Sequence, residues 1–355
     1  MLSELEKKFP QLQQRIERTP LVEGPTPLHP LSALGRRWAH PSLYVKREDQ
    51  THSVYGGNKV RNLEFVLGEA KAKGARRVLT LVPYGSNFTA ALALHGKRLG
   101  LEVQLTQFIA QKNPQIEKHV AFCLEQQASI VSYAGAAGPI RAGLKAGSQL
   151  LTSRLGDSAY YWITPGASSL LGALGHTNAF LEFSSQRRAQ GIPDPDFVIV
   201  GTGTCGTLAG LVAGAMLCGS KSQFIGVRCA EKIVCNPARV RRLATRVVRY
   251  LTGANPSSRL PFRIVDVPSS TGYAVPCPES FGVMQAFSEL EGISLDTTYT
   301  AKVGLFLEQA LGRQEFRGKD VLYWHTYCPN VQNWTTESIA NVLKTLPEGV
   351  THAVA

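Results

Sequence analysis

The sequence contains no uninterrupted apolar run of about 18 residues, which is the length that a membrane-spanning helix needs. Its first eight residues include two glutamates and two lysines and lack the apolar centre of a signal peptide. The seven cysteines are scattered, and none forms a Cys-x-x-Cys pair. Charged residues make up only 18% of the chain against 44% hydrophobic ones, which excludes a disordered protein. We therefore expect a globular cytoplasmic protein with reduced thiols, no membrane span and no metal site.

Positive charge is in excess, since the net charge is +12. Basic surfaces attract polyanions such as nucleic acids. Much of this excess is local. Arg239, Arg242, Arg246 and Arg249 recur at three- and four-residue steps and therefore share one face of a predicted helix. We favour a solvated amphipathic helix, so a nucleic-acid partner is not expected, while an anionic partner or substrate stays open.

Strand-like and helix-like patterns alternate along most of the 355 residues, a length that fits one large or two interlocked domains. The predicted strands cover residues 43–46, 77–82, 103–108, 129–133, 196–200, 224–228 and 321–324. The predicted helices cover residues 62–72, 87–99, 114–127, 170–190 and 208–217. Such repeated βα units predict an α/β fold in which helices cover parallel sheets on both faces.

A turn of glycines and threonines, Gly201 to Thr207, lies between a buried predicted strand and a helix. Backbone N–H groups in such a turn, with a helix N-terminus behind them, can bind a phosphate. The turn lacks the lysine of a nucleotide P-loop. It is therefore either a structural turn or the binding site of a phosphate that is not part of a nucleotide.

A second turn, Gly56-Gly57-Asn58, delivers Lys59 to the start of a predicted helix. A lysine at such a place is usually a solvated side chain. A lysine that acts as a nucleophile instead needs partial desolvation and a fixed position, which a tight turn can supply.

A lysine that can form a Schiff base and a turn that can bind a phosphate are together the minimum that a protein needs to bind pyridoxal 5′-phosphate (PLP). Over about residues 25–328, and above all in Lys-Arg-Glu-Asp at 46–49 and Gly-Gly-Asn-Lys-Val-Arg at 56–61, the sequence resembles the 1-aminocyclopropane-1-carboxylate deaminase and D-cysteine desulfhydrase family. The resemblance implies a Schiff base on Lys59 and a homodimer with the two-domain PLP fold type II, similar to the tryptophan synthase β subunit. It implies a large PLP-binding domain of residues 1–61 and 179–355 and a small domain of residues 62–178.

Further segments match the family in chain order, and each match implies a role. Asn87 in Gly85-Ser86-Asn87 would bind the cofactor, and Ser86 would face the substrate. Tyr273 and Tyr299 would lie at the substrate, and Thr326 beside the pyridine nitrogen. The phosphate loop would comprise Thr202, Gly203, Thr204, Cys205, Gly206 and Thr207.

The sequence also departs from the family, mostly near the substrate. The altered positions are Phe88 for His or Gln, Asn62 for Lys or Arg, Cys205 for Gly, Tyr327-Cys328 for Gly-Gly, and Ala167-Ser168-Ser169 for a Gly-Gly-Ser turn. We expect a divergent enzyme with a different substrate.

The residues at the pyridine nitrogen predict the reaction. The family's deaminases carry glutamate at the position of Thr300 and leucine at that of Thr326, whereas this chain has threonine at both, like the desulfhydrases. A hydroxyl leaves the ring a weaker electron sink than a carboxylate does. We therefore expect β-elimination from a small amino acid, releasing ammonia and a keto acid, with Lys59, Tyr273 or Tyr299 as acid or base. The alternatives are cyclopropane ring opening, β-replacement, and a PLP-binding protein without catalysis.

Overall fold

The computed structural model describes residues 2–109, 114–154, 159–256, 259–267, 272–330 and 352–354. The chain divides into two compact units. The first comprises residues 1–15, 22–62 and 168–329, and the second comprises residues 16–21, 63–167 and 330–355. The domain division that the family resemblance implies, at residues 61 and 178, differs from these limits and stays a prediction.

The described helices and strands alternate along most of the chain. The strands are β1 (Leu28–Pro30), β2 (Leu43–Arg47), β3 (Arg77–Pro83), β4 (Glu102–Phe108), β5 (Ser129–Tyr133), β6 (Tyr160–Ile163), β7 (Phe197–Thr202), β8 (Gln223–Arg228), β9 (Phe262–Val265), β10 (Val321–His325) and β11 (His352–Val354). The α-helices are α1 (Glu4–Lys8), α2 (Ser32–Arg37), α3 (Lys59–Ala72), α4 (Asn87–Arg98), α5 (Pro114–Glu125), α6 (Gly138–Arg154), α7 (Leu170–Ala189), α8 (Gly206–Cys218), α9 (Pro237–Thr252), α10 (Phe281–Glu291) and α11 (Thr300–Ala310). Short 3₁₀ helices lie at Pro10–Gln14, Glu48–Gln50, Pro165–Ala167, Pro278–Ser280 and Gln314–Phe316.

The first unit is built on a six-stranded sheet in the order β1-β2-β10-β7-β8-β9. All neighbouring strands are parallel except β1, which pairs antiparallel with β2 at the edge. The predicted α/β class with parallel sheets is therefore confirmed, with one antiparallel edge strand that the sequence did not predict.

Helices cover both faces of this sheet, as strand β10 illustrates. Neighbouring residues of a strand point to opposite faces. Tyr323 packs edge-on against Phe287 of α10, with ring centroids 5.6 Å apart. Its neighbour Trp324 stacks on Phe180 of α7 at 6.3 Å. Every residue of β10 is consequently buried, and the strand reads as a continuous apolar run.

The second unit contains a five-stranded sheet in the order β11-β5-β4-β3-β6, in which all pairs are parallel. Helix α3 begins in the first unit with Lys59 and continues into the second. Across the described parts of both units, no helix is long and apolar enough to cross a membrane.

Candidate functional site

The turn that presents Lys59 depends on two glycines. A Cβ atom on Gly56 would lie 2.2 Å from the carbonyl oxygen of Asp49, where no side chain fits. Gly57 has a φ of +93°, and a Cβ there would lie 3.2 Å from the carbonyl oxygen of Thr326. The hydroxyl of Thr51 donates a hydrogen bond to the Gly57 carbonyl, at 2.9 Å. The turn is thus held from both sides, and the position at which α3 begins is fixed.

Lys59 itself lies half-buried at the first position of α3. Desolvation by burial lowers the pKa of its ammonium group to about 8. About a tenth of the amine is therefore neutral at pH 7, far more than of a solvated lysine. A neutral amine is the form that attacks a carbonyl carbon, so the environment of Lys59 suits a nucleophile.

A buried group of four charges stands behind this turn. Arg61, two residues after Lys59, donates hydrogen bonds to Glu48 at 2.9 Å and to Glu182 of α7 at 2.7 Å. Lys46 donates to Glu182 at 2.7 Å. Burial alone would raise the pKa of Glu182, but Arg61 and Lys46 lower it to about 2. The two cations balance the two carboxylates, so the segments 46–49 and 56–61 hold α3, β2 and α7 together.

A chain of polar side chains joins Lys59's neighbours to α8. Asn58 donates through its amide to Thr207 Oγ1 at 2.8 Å. Asn62 donates to the carbonyl oxygen of Gly172 at 3.0 Å, so its own amide oxygen accepts from His176 Nε2 at 2.9 Å. His176 is fully buried, and burial, with Lys59 and Arg61 nearby, holds its pKa well below the usual range.

The neutral His176 ring leaves the proton of the Thr207 hydroxyl uncommitted. His176 Nε2 lies 3.1 Å from Thr207 Oγ1, but its proton is directed at Asn62. Thr207 Oγ1 already accepts from Asn58. Its own proton is consequently available to an acceptor at the start of α8.

The loop between β7 and α8 has the features of an anion cradle. Cys205 precedes α8 in the left-handed conformation, with φ of +72°, which explains why the related family prefers glycine there. The backbone N–H groups of residues 204–207 meet no acceptor in the described part of the chain. A Cβ on Gly206 would lie 2.6 Å from Ser168 Oγ, and one on Gly203 would lie 3.0 Å from the hydroxyl oxygen of Tyr299. The two glycines therefore let Ser168 and Tyr299 pack closely against the loop, whose backbone N–H groups can donate to an anion.

The loop's glycines, Gly201, Gly203 and Gly206, also have the Gly-x-Gly-x-x-Gly spacing of a dinucleotide site. In such a site a carboxylate that binds the ribose stands about 20 residues further on. Here β8 ends in Arg228, which is itself paired with Asp266 at 2.6 Å. The surroundings of the loop therefore favour a lone phosphate over a dinucleotide.

At the end of β10, Thr326 follows a fully buried histidine. The Thr326 carbonyl oxygen accepts from the Asn58 N–H at 3.3 Å. Its hydroxyl has no partner in the portion of the protein that the structure describes. Burial lowers the pKa of His325 to about 4, and its Nδ1 lies 2.8 Å from the Tyr323 hydroxyl. A neutral imidazole and a free hydroxyl thus stand beside the Lys59 turn.

Thr300, by contrast, is committed to a structural contact. Its hydroxyl donates to Asp296 Oδ1 at 2.7 Å, and its N–H donates to the same oxygen at 2.8 Å. Asp296 is 1% exposed and caps the start of α11. The carboxylate therefore stabilises the helix and leaves Thr300 without a free hydroxyl proton.

Tyr273 and Tyr299 form an edge-to-face pair with ring centroids 5.8 Å apart. Burial, followed by the neighbouring Tyr273, raises the pKa of the Tyr299 phenol well above its usual range. Tyr299 therefore keeps its proton at neutral pH and can donate it, but it cannot serve as a base there.

The remaining two candidates, Ser86 and Asn87, lie in the second unit. Ser86 caps α4 by accepting from the N–H of Phe88 at 3.4 Å, and Asn87 is the first residue of that helix. Phe88 is 1% exposed and belongs to this unit's core. Gly85 must be glycine, because its φ is +63° and a Cβ would lie 2.1 Å from Ile116 Cγ2. The structure thus brings the other sequence-predicted residues together in the first unit and places this pair with the second.

Comparison with known proteins identifies the family. A family model described as "Pyridoxal-phosphate dependent enzyme" matches residues 19–326. This chain belongs to that family. The match spans most of the chain, close to the range over which the sequence resemblance runs.

Similar proteins of this pyridoxal-phosphate dependent family carry different activities in their names. Nocardicin C-9′ epimerase of Nocardia uniformis subsp. tsuyamanensis is 31% identical, over 88% of this chain and 92% of its own. D-cysteine desulfhydrase of Serratia proteamaculans (strain 568) is 27% identical, over 89% of this chain and 96% of its own. A crystal structure described as an ACC deaminase homologue, at 24% identity, superposes with a TM-score of 0.79 over 96% of this chain and 100% of that one. It shows the shared fold, which is PLP fold type II.

The residues of the first unit fit PLP. The unpartnered amides of residues 204–207 and the free proton of Thr207 suit a phosphate dianion. The unpartnered hydroxyl of Thr326 suits a ring nitrogen, and the desolvated Lys59 suits a covalent link to the cofactor aldehyde. This PLP-dependent enzyme therefore has donors for the phosphate, the ring and the aldehyde.

Sequence reasoning missed the residues that hold these groups in place. Asn58 and Arg61 belong to the quoted signature, but its pattern did not indicate what they contact. Glu182 and His176 lie on a helix predicted only as such, and they carried no signal of their own. Cys328, noted as a departure, receives a hydrogen bond from the Gly56 N–H at 3.2 Å on its sulfur. Asn62 thus contacts α7, and Cys328 contacts the Lys59 turn.

Proposed function

We propose that the enzyme catalyses β-elimination from a small amino acid that carries a leaving group on its β-carbon, releasing ammonia and a keto acid as a D-cysteine desulfhydrase does. The observation that carries the proposal is the contrast between two threonines. The Thr326 hydroxyl is free to contact the ring nitrogen, whereas Thr300 is bound to Asp296. A hydroxyl partner leaves the ring a moderate electron sink, which suffices for losing a good leaving group.

When bound, PLP supplies the electron sink that stabilises negative charge at the substrate α-carbon. Lys59 is proposed to hold the cofactor and, once displaced by the substrate, to accept the α-proton. Its pKa of about 8 supports this role, because roughly a tenth of such an amine is neutral at pH 7.

Tyr299 is proposed as the proton donor to the leaving group. Its raised pKa supports an acid rather than a base, which narrows the expectation that either Tyr273 or Tyr299 could play both parts. Tyr273 would orient the Tyr299 phenol through their mutual contact.

The cofactor phosphate is assigned in this proposal to the backbone of Thr202, Gly203, Thr204, Cys205, Gly206 and Thr207, with the Thr207 hydroxyl as an additional donor. Asn87 is proposed to contact the cofactor. Ser86 is proposed to bind the substrate, because its oxygen accepts the cap hydrogen bond and its proton stays available.

A second reaction, epimerisation at the α-carbon, is favoured by one observation. The relative at 31% identity is an epimerase, and inversion needs a proton acceptor on one side of the α-carbon and a proton donor on the other, for which Lys59 and Tyr299 respectively are candidates. Elimination and epimerisation share the first proton transfer and differ in whether a leaving group departs.

A homodimer and a cytoplasmic location complete the proposal. All seven cysteines are free thiols, which is the usual state in a reducing compartment.

The proposed activity can be tested with a panel of D- and L-amino acids in deuterated water. Elimination predicts ammonia and keto acid from cysteine, serine or β-chloroalanine. Epimerisation predicts deuterium at the α-carbon and inverted product without ammonia. Rapid release of 2-oxobutyrate from 1-aminocyclopropane-1-carboxylate would overturn the proposal in favour of ring opening. No change in the cofactor spectrum with any amino acid would indicate a non-catalytic PLP-binding protein.

A further inference from the structure

Helix α9 carries an unusual concentration of positive charge. Its five arginines are Arg239, Arg241, Arg242, Arg246 and Arg249. None of their guanidinium groups meets a carboxylate or any other hydrogen-bond partner in the described residues. The apolar side of the helix is buried, as the sequence predicted, through Val240, Leu243, Ala244, Val247, Val248 and Leu251. The helix is therefore firmly packed, while its guanidinium groups have no counter-ion among the described residues.

Three of the five arginines line one cavity of about 480 Å³ in the first unit. Arg239, Arg242 and Arg246 stand at spacings of three and four residues, so they follow one another along about 10 Å of the helix. Leu243 and Ile233 add apolar surface, and Ile233 is 85% exposed. Arg241 and Arg249 do not line the cavity.

We propose that this cavity is a second anion site, which binds a phosphorylated small molecule with at least two phosphate groups. Planar guanidinium groups bind phosphate oxygens in pairs, and three of them in a row match a ligand with more than one phosphate group. An apolar part of the ligand would cover Ile233, whose side chain is otherwise left in solvent. The inference goes beyond the proposed reaction and does not depend on it.

The cavity adjoins the cofactor phosphate loop without including it. Ser168, which lines the cavity, has its Oγ 2.5 Å from Thr204 Oγ1. Asn236, also in the lining, has its carbonyl oxygen 3.8 Å from Cys205 Sγ. Residues 203–207 and Lys59 are not part of the lining. A ligand here therefore contacts residues that touch the loop, while the cofactor keeps its own donors.

The test measures binding of inorganic pyrophosphate to the holoenzyme, in which PLP already fills the cofactor loop, by calorimetry at fixed ionic strength. Saturable binding is expected. Arg242→Ala/Arg246→Ala should weaken it by about 30-fold or more, because two charge-assisted contacts are lost. Arg241→Ala/Arg249→Ala removes the same charge from the same helix outside the cavity and should weaken it less than about threefold. A nucleoside diphosphate that binds more tightly than pyrophosphate would identify a nucleotide as the source of the phosphates, whereas equal affinity would indicate the pyrophosphate group alone.

Three results would overturn the proposal. The first is no saturable binding of pyrophosphate to the wild-type holoenzyme. The second is an equal loss of pyrophosphate affinity in the two double variants, which would indicate general electrostatic attraction. The third is tight binding of a duplex oligonucleotide that falls equally in both variants and steeply with salt, which would make the helix a nucleic-acid surface. An unchanged cofactor spectrum and circular dichroism in both variants verify that folding is intact.

Discussion

Asn58 Nδ2 donates a 2.8 Å hydrogen bond to Thr207 Oγ1, joining the residue before Lys59 to the first turn of α8. The two residues are 149 positions apart in the chain. The lysine that would link to the aldehyde and the loop that would bind the phosphate are thus set at a fixed separation by one side-chain contact. A cofactor of rigid length requires such a separation.

This contact predicts that Asn58→Ala weakens PLP binding by about tenfold, since a hydrogen bond to a polar partner is worth about 1–1.5 kcal/mol. Thr207→Val should weaken it more, because this change also removes the hydroxyl that is proposed to donate to the phosphate. Fluorescence titration of the apo-protein measures the affinity. The double variant should lose less than the sum of the two single losses, because both changes break the same contact. Strict additivity would show that the two residues act independently.

The lowered pKa of Lys59 predicts the pH dependence of cofactor capture. The neutral amine gains population as pH rises through about 8, so the rate at which the apo-protein forms a borohydride-trappable adduct should rise with a midpoint near that pH. A solvated lysine would instead keep gaining rate to beyond pH 10. Lys59→Ala should form no such adduct, and a trapped cofactor on that variant would disprove the assignment.

The same shift has a consequence for stability. Because the folded pKa of Lys59 lies below the unfolded one, the unfolded apo-protein binds more protons between about pH 8 and 10.5. The contribution of Lys59 to the free energy of unfolding should therefore increase across that window, and Lys59→Met should remove this increase.

The cradle geometry predicts that Gly206→Ala loses cofactor on dialysis at least about tenfold faster than the wild type, because the new Cβ would push Ser168 Oγ, only 2.6 Å away. Gly206→Val and Gly203→Val should lose the cofactor faster still. Gly282→Ala on α10 is the matched control, since a Cβ there meets nothing within 4 Å. Unchanged retention in Gly206→Val would count against this loop as the phosphate site.

The buried charges predict that Arg61→Met destabilises the protein by about 3–5 kcal/mol, because Glu48 and Glu182 are left buried without their cation. Arg77→Met, which breaks an exposed pair with Glu102, should cost less than about 1 kcal/mol. Thermal unfolding at pH 7 compares the two. With its pKa lowered to about 2, Glu182 stabilises the fold above about pH 4.5 and loses that contribution as pH falls towards 2. Glu182→Gln should therefore flatten the acid side of the stability profile.

The sequence predicted those helices and strands whose apolar residues, recognisable from their spacing, are the residues that the fold buries. Residues 129–133 form β5 with the predicted limits, and the predicted helix from Leu208 begins two residues earlier, at Gly206. Helix α6 was not predicted, because Gly143 and Gly147 interrupt it and its large apolar residues Ile140 and Leu144 are exposed rather than buried.

The candidate site divides in the same way. Lys59 could be predicted because two glycines stand just before it in the chain. The loop at 202–207 could be predicted because its glycines and threonines are consecutive and lie between a predicted strand and a predicted helix. The pairing of Asn62 with His176 could not, because its partners are 114 residues apart and a histidine on an apolar helix has many possible roles. Hydrogen bonds between residues far apart in the chain produce no periodic pattern in the sequence. The sequence therefore indicates the residues proposed to bind the cofactor but not the residues that position them.

The position of β2 in the first sheet has a consequence for how the enzyme is made. β2 precedes Lys59 by a dozen residues, yet its parallel neighbour is β10, which comprises Val321–His325. Thr326 and Cys328, which contact the Lys59 turn, directly follow β10. While the ribosome is still translating the middle of the message, the lysine has neither its neighbouring strand nor these contacts. The Lys59 turn therefore reaches its final geometry only after residues 321–328 have been synthesised and have paired with β2.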